Sequence, residues 1–202
     1  MIAITGDVID RMHPNLDAVA ALAPVYYVPG NHEADYKQYP GLLRLLRGLG
    51  VKILDNKKEM LCRGGASIEL IGVCDPLFST RRRSFPIQAY YMEQNIKQAL
   101  DGETGDMRIL LSHRPEHAEV YKKYNIDLAL TGHAHGGQWR IPGVGGLFAP
   151  DQGVMPKLTS GMHRFGGTAL VVSRGLGNSA FPIRIANRVE IVTVTLTNMR
   201  QT

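Results

Sequence analysis

Four short apolar runs of this 202-residue chain each end in residues able to bind a cation. Ile2-Ala3-Ile4-Thr5 leads into Gly6-Asp7, and Val25-Tyr26-Tyr27-Val28-Pro29 into Gly30-Asn31-His32-Glu33. Ile109-Leu110-Leu111-Ser112 leads into His113, and Ile126-Asp127-Leu128-Ala129-Leu130-Thr131 into Gly132-His133-Ala134-His135. Carboxylate, amide and imidazole donors delivered by rigid elements to one edge of a sheet are what a metal centre requires. Asp7 has two oxygens and a charge, so it can bridge two cations. Asn31 offers a neutral amide oxygen. The imidazoles of His113, His133 and His135 suit Mn²⁺, Fe or Zn²⁺ better than Ca²⁺. His133 and His135 are two positions apart; in extended backbone they share a side and can each serve one of two neighbouring ions. Taken singly, each motif is an ordinary turn, cap or core residue. Their common place at strand ends is what argues for a site. His13, His117 and His163 lack that context and read as structural or exposed.

The elements that must position these residues alternate between apolar runs and amphipathic segments. Ile2 to Thr5, Val25 to Val28, Val51 to Leu54, Ile109 to Leu111 and Ile126 to Leu130 read as strands. Leu16 to Leu22 reads as a helix capped by Asn15, Leu42 to Leu49 as a helix ending at Gly50, and Ile87 to Leu100 as a helix with Pro86 in its first turn. Glu116 to Tyr124 is a further helix. Glu59 to Cys62 and Ser67 to Val73 flank a Gly64-Gly65 turn and predict an antiparallel pair. A glycine- and proline-rich loop from Gly132 to about Gly167 has the length and irregularity of a functional loop. Thr168 to Ser173 and Val189 to Leu196 are β-branched and predict antiparallel neighbours closing a sheet. The rhythm predicts an α/β layered fold with its ligand crevice at the carboxyl ends of the strands. No repeat or linker divides residues 1–202, so a single domain is expected.

Composition narrows the class. Hydrophobic residues make up 44% and charged residues 20%, as in soluble globular domains. A net charge of +5 favours anionic partners weakly and is too dispersed to argue for specific nucleic-acid binding. Arg81-Arg82-Arg83 is the one dense basic spot, read first as a solvated loop and second as a substrate or partner contact. Cys62 and Cys74 form no Cys-x-x-Cys motif, and their apolar surroundings predict buried free thiols. No run approaches the roughly 18 apolar residues of a membrane span. No signal peptide is evident, which makes the cytoplasm the default location.

Taken together, Gly6-Asp7-Val8-Ile9-Asp10, Gly30-Asn31-His32-Glu33, Ser112-His113 and Gly132-His133-Ala134-His135 resemble the motifs of the calcineurin-like metallophosphoesterases. Gly132-His133-Ala134-His135-Gly136-Gly137-Gln138 and Ser173-Arg174-Gly175-Leu176-Gly177 are similar to a bacterial subgroup of that family. The resemblance runs from Ile2 to Leu196. It implies a four-layer α-β-β-α sandwich with two mixed sheets. It also implies a dinuclear divalent metal centre, of Mn²⁺ or Fe/Zn²⁺, and hydrolysis of a small phosphate ester, a phosphodiester before a monoester, by a metal-activated water. On the same basis Asp7 would bridge the metals, Asn31, His113 and His133 would complete one site, and His135 would serve the other. His32 would be the catalytic residue beside the leaving group. Arg114 or Arg174 could meet a phosphate, or form a structural ion pair.

The family's opening Asp-x-His motif has no counterpart here. Three accounts follow: further sequence upstream, one well-held metal beside a weaker second site, or substitution by Asp10 and His13. An uncovered strand edge next to Ile2–Thr5 predicts a homo-oligomer. The rival reading is a degenerate scaffold of the same fold that binds a partner. The retained His32, His133 and His135 speak against it, because a scaffold has little need of three imidazoles around a polar cleft.

Overall fold

Alternation of side chains along the strands sets the layers. The computed structural model describes residues 1–11, 16–177 and 183–197, and for Asp10 and Arg11 the backbone alone. The first half comprises β1 (Ile2–Thr5), α1 (Leu16–Leu22), β2 (Val25–Val28), α2 (Asn31–Asp35), α3 (Tyr39–Gly48) and β3 (Lys52–Ile53). Then come β4 (Lys57–Arg63), β5 (Ala66–Gly72), α4 (Phe85–Ala99), β6 (Met107–Leu111), α5 (Ala118–Lys123) and β7 (Leu128–Thr131). Short strands β8 (Arg140–Ile141), β9 (Gly145–Gly146), β10 (Phe148–Ala149) and β11 (Gly153–Val154) precede β12 (Gly161–Phe165) and β13 (Thr168–Val172).

β1, β2 and β3 form a wholly parallel sheet, and β12-β13-β7-β6-β5-β4 a mixed sheet of six strands. Val25 and Tyr27 of β2 pack with Leu42 and Leu46 of α3, while Tyr26 and Val28 point the other way, into a cluster with Leu70, Ile109, Leu111 and Val171 of the larger sheet. On the far side of that sheet Ile71, Leu110, Leu170 and Val172 meet Met92 and Ile96 of α4 and Tyr121 of α5. Period-two alternation on strands buried on both faces thus builds three apolar interfaces, and hence four layers, helices–sheet–sheet–helices. At about 25 cal/mol per Å² of apolar area removed from water, these interfaces are the main source of stability. Among the described residues, no helix is long and apolar enough to cross a membrane.

Three expectations are corrected. Val189–Leu196 forms no strand, and its apolar side chains are exposed. β13, the strand predicted to be its neighbour, has β7 on one edge and β12 on the other. β12 itself, with Met162 exposed and little β-branching, lay inside the stretch read as loop. Cys62 is exposed on the outermost strand, whereas Cys74 is buried. Asn15 and His13 lie outside the described residues, as does the side chain of Asp10.

Candidate metal centre

The carboxyl ends of β1 and β2 in one sheet, and of β6 and β7 in the other, meet at a single edge. His113 joins them: its Nδ1 lies 2.6 Å from the carbonyl oxygen of Thr5. A carbonyl can only accept, so Nδ1 carries a proton, and Nε2 is the nitrogen that offers a lone pair once the imidazolium gives up its other proton. Around that nitrogen stand Asn31 Oδ1 at 3.0 Å, His133 Nδ1 at 3.0 Å and Asp7 Oδ2 at 3.1 Å. Asp7 Oδ2 is buried and, despite its closeness to His113, makes no well-directed hydrogen bond. A single shared proton satisfies at most one of these contacts. A cation at their centre satisfies all four atoms, so the donor set fits a divalent metal.

Glu33 holds the first two loops together. Its buried carboxylate accepts from the N–H groups of Gly30 (2.7 Å) and Asp7 (2.8 Å) through Oε2, and from Ile9 (3.3 Å) through Oε1. Asp7 Oδ1 accepts from the His32 N–H at 3.2 Å. The approach of Gly30 to Asp7 leaves no room for a side chain: a Cβ at Gly30 would lie 2.3 Å from Asp7 Oδ1. Gly30→Ala is therefore expected to weaken Mn²⁺ affinity about 10–100-fold while the chain stays folded. Metal titration beside a thermal melt checks this, and unchanged affinity would mean that Asp7 does not contribute its carboxylate. Asp7, His133 and His135 also adopt positive φ of 58°, 61° and 46°. Such backbone costs about 1–3 kcal/mol per non-glycine residue and gathers where a site is pre-organised.

Burial lowers the His113 pKa, but the Asp7 carboxylate more than offsets this and pushes it up to about 9. The same pairing holds Asp7 below the usual carboxylate range in spite of its burial. Burial, followed by the Arg114 guanidinium, pulls His133 down to about 3, so that it is a neutral, ligand-ready imidazole. Below about pH 9, then, a cation must displace the His113 proton. Apparent metal affinity should rise about tenfold per pH unit up to that point and level off above it. Calorimetry in buffers of different ionisation enthalpy should register close to one proton released per metal at roughly neutral pH. Release of none would remove His113 from the ligand set.

Behind His133 lies a second polar group. His133 Nε2 is 3.1 Å from Asp151 Oδ2 and 3.1 Å from Arg114 Nη1. Arg114 is fully buried, pairs two nitrogens with Asp75, and reaches Glu116 (3.2 Å) and Asp151 through Nη1. Glu116, His133 and Asp151 also converge closely enough to hold an ion, but the guanidinium already supplies their positive charge. The expectation that Arg114 meets a substrate phosphate does not fit this geometry: its fork faces inward, and it positions His133 from behind. Arg174 pairs with Glu190, its Nη2 2.5 Å from Oε2.

The structure thus gathers Asp7, Asn31, His113 and His133 into one cluster. His135 belongs to neither tight group of donors among the described residues. With His32, Asn31 and His133 it lines an adjoining cavity of about 820 Å³. The His32 side chain is 31% exposed, with Nδ1 4.0 Å from Asp7 Oδ2. Sequence reasoning assigned no part to Glu33, Asp75 or Asp151. Two of these had a signal. Glu33 stands at the third helical position after Gly30, where a carboxylate reaches back to the first N–H groups. Asp75 follows an apolar run just as Asp7 does.

A family profile described as "Calcineurin-like phosphoesterase" matches residues 1–137. The chain is similar to phosphodiesterase YaeI of Escherichia coli (strain K12), 29% identical over 183 residues that cover 90% of this chain and 61% of that protein. It is 28% identical over 202 residues to the uncharacterized metallophosphoesterase YkoQ of Bacillus subtilis (strain 168), covering 95% of this chain and 70% of that one. Among the first relatives it matches, the chain spans 61%, 30% and 70% of their lengths. Two solved structures share the fold. They are the sulfate thiohydrolase SoxB of Thermus thermophilus (TM-score 0.52, 17% identity, 85% of this chain and 33% of that one) and the NAD nucleotidase NadN of Haemophilus influenzae (TM-score 0.51, 19% identity, 87% and 36%).

Proposed function

We propose, given that this chain belongs to the calcineurin-like phosphoesterase family, that it hydrolyses phosphate esters, diesters in preference to monoesters, with divalent metal held by the Asp7–Asn31–His113–His133 cluster. The observation that carries this reading is the convergence of four lone-pair atoms on a buried point with one of them, Asp7 Oδ2, lacking a hydrogen bond. Divalent cations bound there would supply Lewis acidity, lowering the pKa of water and drawing charge from phosphate oxygens.

The chain's own residues supply the rest. Asp7 is held by the His32 N–H at its second oxygen, so its carboxylate would be fixed in orientation toward bound cations, and it is the residue we assign to share between them. His135, on the cavity wall beside His133, is the residue we assign to the second cation. Mn²⁺ or Fe/Zn²⁺ suit these nitrogen and oxygen donors. His32 lines the same cavity from α2, which supports assigning to it the hydrogen bond to, and then protonation of, the departing ester oxygen. Preference for diesters is supported by that imidazole, which can protonate an alkoxide leaving group, and by the activity that names YaeI.

The test is hydrolysis of bis(p-nitrophenyl) phosphate beside p-nitrophenyl phosphate, with EDTA and after restoration with Mn²⁺ or Zn²⁺. The diester should turn over faster, stop with EDTA and resume with metal. Metal-loaded, folded protein that hydrolyses neither ester would overturn the reading.

A further inference from the structure

The cavity beside the cluster is far larger than a phosphate group needs. About 820 Å³ lies within the usual range for a site enclosing a whole organic ligand. Asn31, His32, His133 and His135 line it, and the lining is otherwise largely apolar, with Tyr36, Trp139 and Phe148 among its residues. Trp139 and Phe148 are 40% and 50% exposed. Large apolar side chains held open to water beside a polar site mark a place that a ligand covers.

The wall is fixed to the metal-centre loop and does not sag into the space. The Leu147 N–H donates to the carbonyls of Gly137 (3.1 Å) and Trp139 (2.8 Å). Asn187 Nδ2 donates to the carbonyls of His135 (2.7 Å) and Gln138 (3.0 Å). Gln138, with φ 57°, turns the chain just before Trp139. The same short segment therefore presents His133 to the cluster and His135 and Trp139 to the cavity. At the rim, Arg81 and Arg83 both pair with the single carboxylate of Asp35, which leaves an excess of positive charge at the mouth.

From this continuity we infer that the cavity binds an aromatic ring carried by the substrate, stacked against Trp139 and Phe148, while the phosphate lies at the cluster; the inference rests on the phosphoesterase reading and names its substrate class as aryl- or base-bearing phosphate esters. Flat π-faces recognise a ring by stacking, which a methyl or a straight alkyl chain does not reproduce.

Trp139 is the chain's sole tryptophan and so reports on its own pocket. Zn²⁺-loaded protein is titrated with phenylphosphonate, octylphosphonate, methylphosphonate and inorganic phosphate, none of which carries an ester bond, and tryptophan emission is followed. Phenylphosphonate should change the emission saturably with an affinity about tenfold or more above that of methylphosphonate. Phe148→Ala, which keeps the reporter, should reduce that preference. As inhibitors of bis(p-nitrophenyl) phosphate hydrolysis, the phenyl and methyl compounds should differ by a similar ratio, and Trp139→Ala should bring the ratio close to one. An octyl compound that binds as tightly as the phenyl one, or no phenyl preference at all, overturns the inference and leaves hydrolysis untouched. Saturable quenching by the phenyl compound in a protein that hydrolyses no ester would sustain the pocket and sink the proposed function.

Discussion

His133→Ala should lower metal-dependent hydrolysis of bis(p-nitrophenyl) phosphate by about 10³-fold or more, with the fold retained. His133 is the residue on which both polar groups turn. Its Nδ1 faces His113 Nε2 at 3.0 Å, and its Nε2 faces Asp151 at 3.1 Å. Removing the ring takes one donor from the cluster and frees the Asp151 carboxylate and the Arg114 guanidinium to reorganise behind it. A far-ultraviolet spectrum and a melt establish that the variant is folded. Steady-state rates over a range of Mn²⁺ then separate weakened metal binding, which added metal restores, from loss of the reacting geometry, which it does not. Turnover within tenfold of the unmodified chain would place the chemistry elsewhere.

The second large effect concerns stability. Arg114→Met should destabilise the fold by about 3–5 kcal/mol at neutral pH. The variant leaves Asp75, fully buried, without its cationic partner, and leaves Glu116 and Asp151 beside it. A methionine of similar length fills most of the space, so the loss reports charge and not a cavity. Burial alone would raise the Asp75 pKa, yet Arg114 outweighs it and keeps the folded value below the ordinary 3.8. A carboxylate depressed in this way contributes stability above its unfolded pKa and loses it as pH falls through the folded value. Without Arg114 burial acts largely unopposed on Asp75 and raises its folded pKa, so the penalty should be small in acid, where Asp75 is protonated in both proteins, and grow as pH rises towards neutrality. Urea unfolding at several pH values reads it directly, and a penalty independent of pH would show that packing, not the ion pair, is what Arg114 supplies.

The strand ends were the legible part of the site. Apolar runs ending at Asp7, Asn31, His113 and His133 are a local pattern, and parallel pairing of β1 with β2 and of β6 with β7 brings such ends to one edge. Which donors touch is not local. The bond from His113 to the Thr5 carbonyl spans 108 positions and two sheets, and no spacing in the chain announces it. Arg114 shows the converse: beside His113 its sequence position allows a phosphate contact or a structural ion pair, and its burial among three carboxylates selects the second. Asp151 comes from a glycine-rich loop with no periodicity to place it. In the fold, Val189–Leu196 has strong strand character and yet is no strand, and β13, the neighbour expected for it, is paired on both edges by other strands. Weakly patterned β12 occupies the edge of β13 instead.

The central claim is that Asp7, Asn31, His113 and His133 form a cation site. Electron paramagnetic resonance of the chain titrated with Mn²⁺ tests it most directly, with pulsed detection of nitrogen coupled to the bound ion. The account predicts saturable Mn²⁺ binding with coupling to imidazole nitrogen that weakens in His113→Ala and in His133→Ala. Mn²⁺ that remains fully hydrated in the presence of excess folded chain, or bound ion showing no nitrogen coupling, would contradict it.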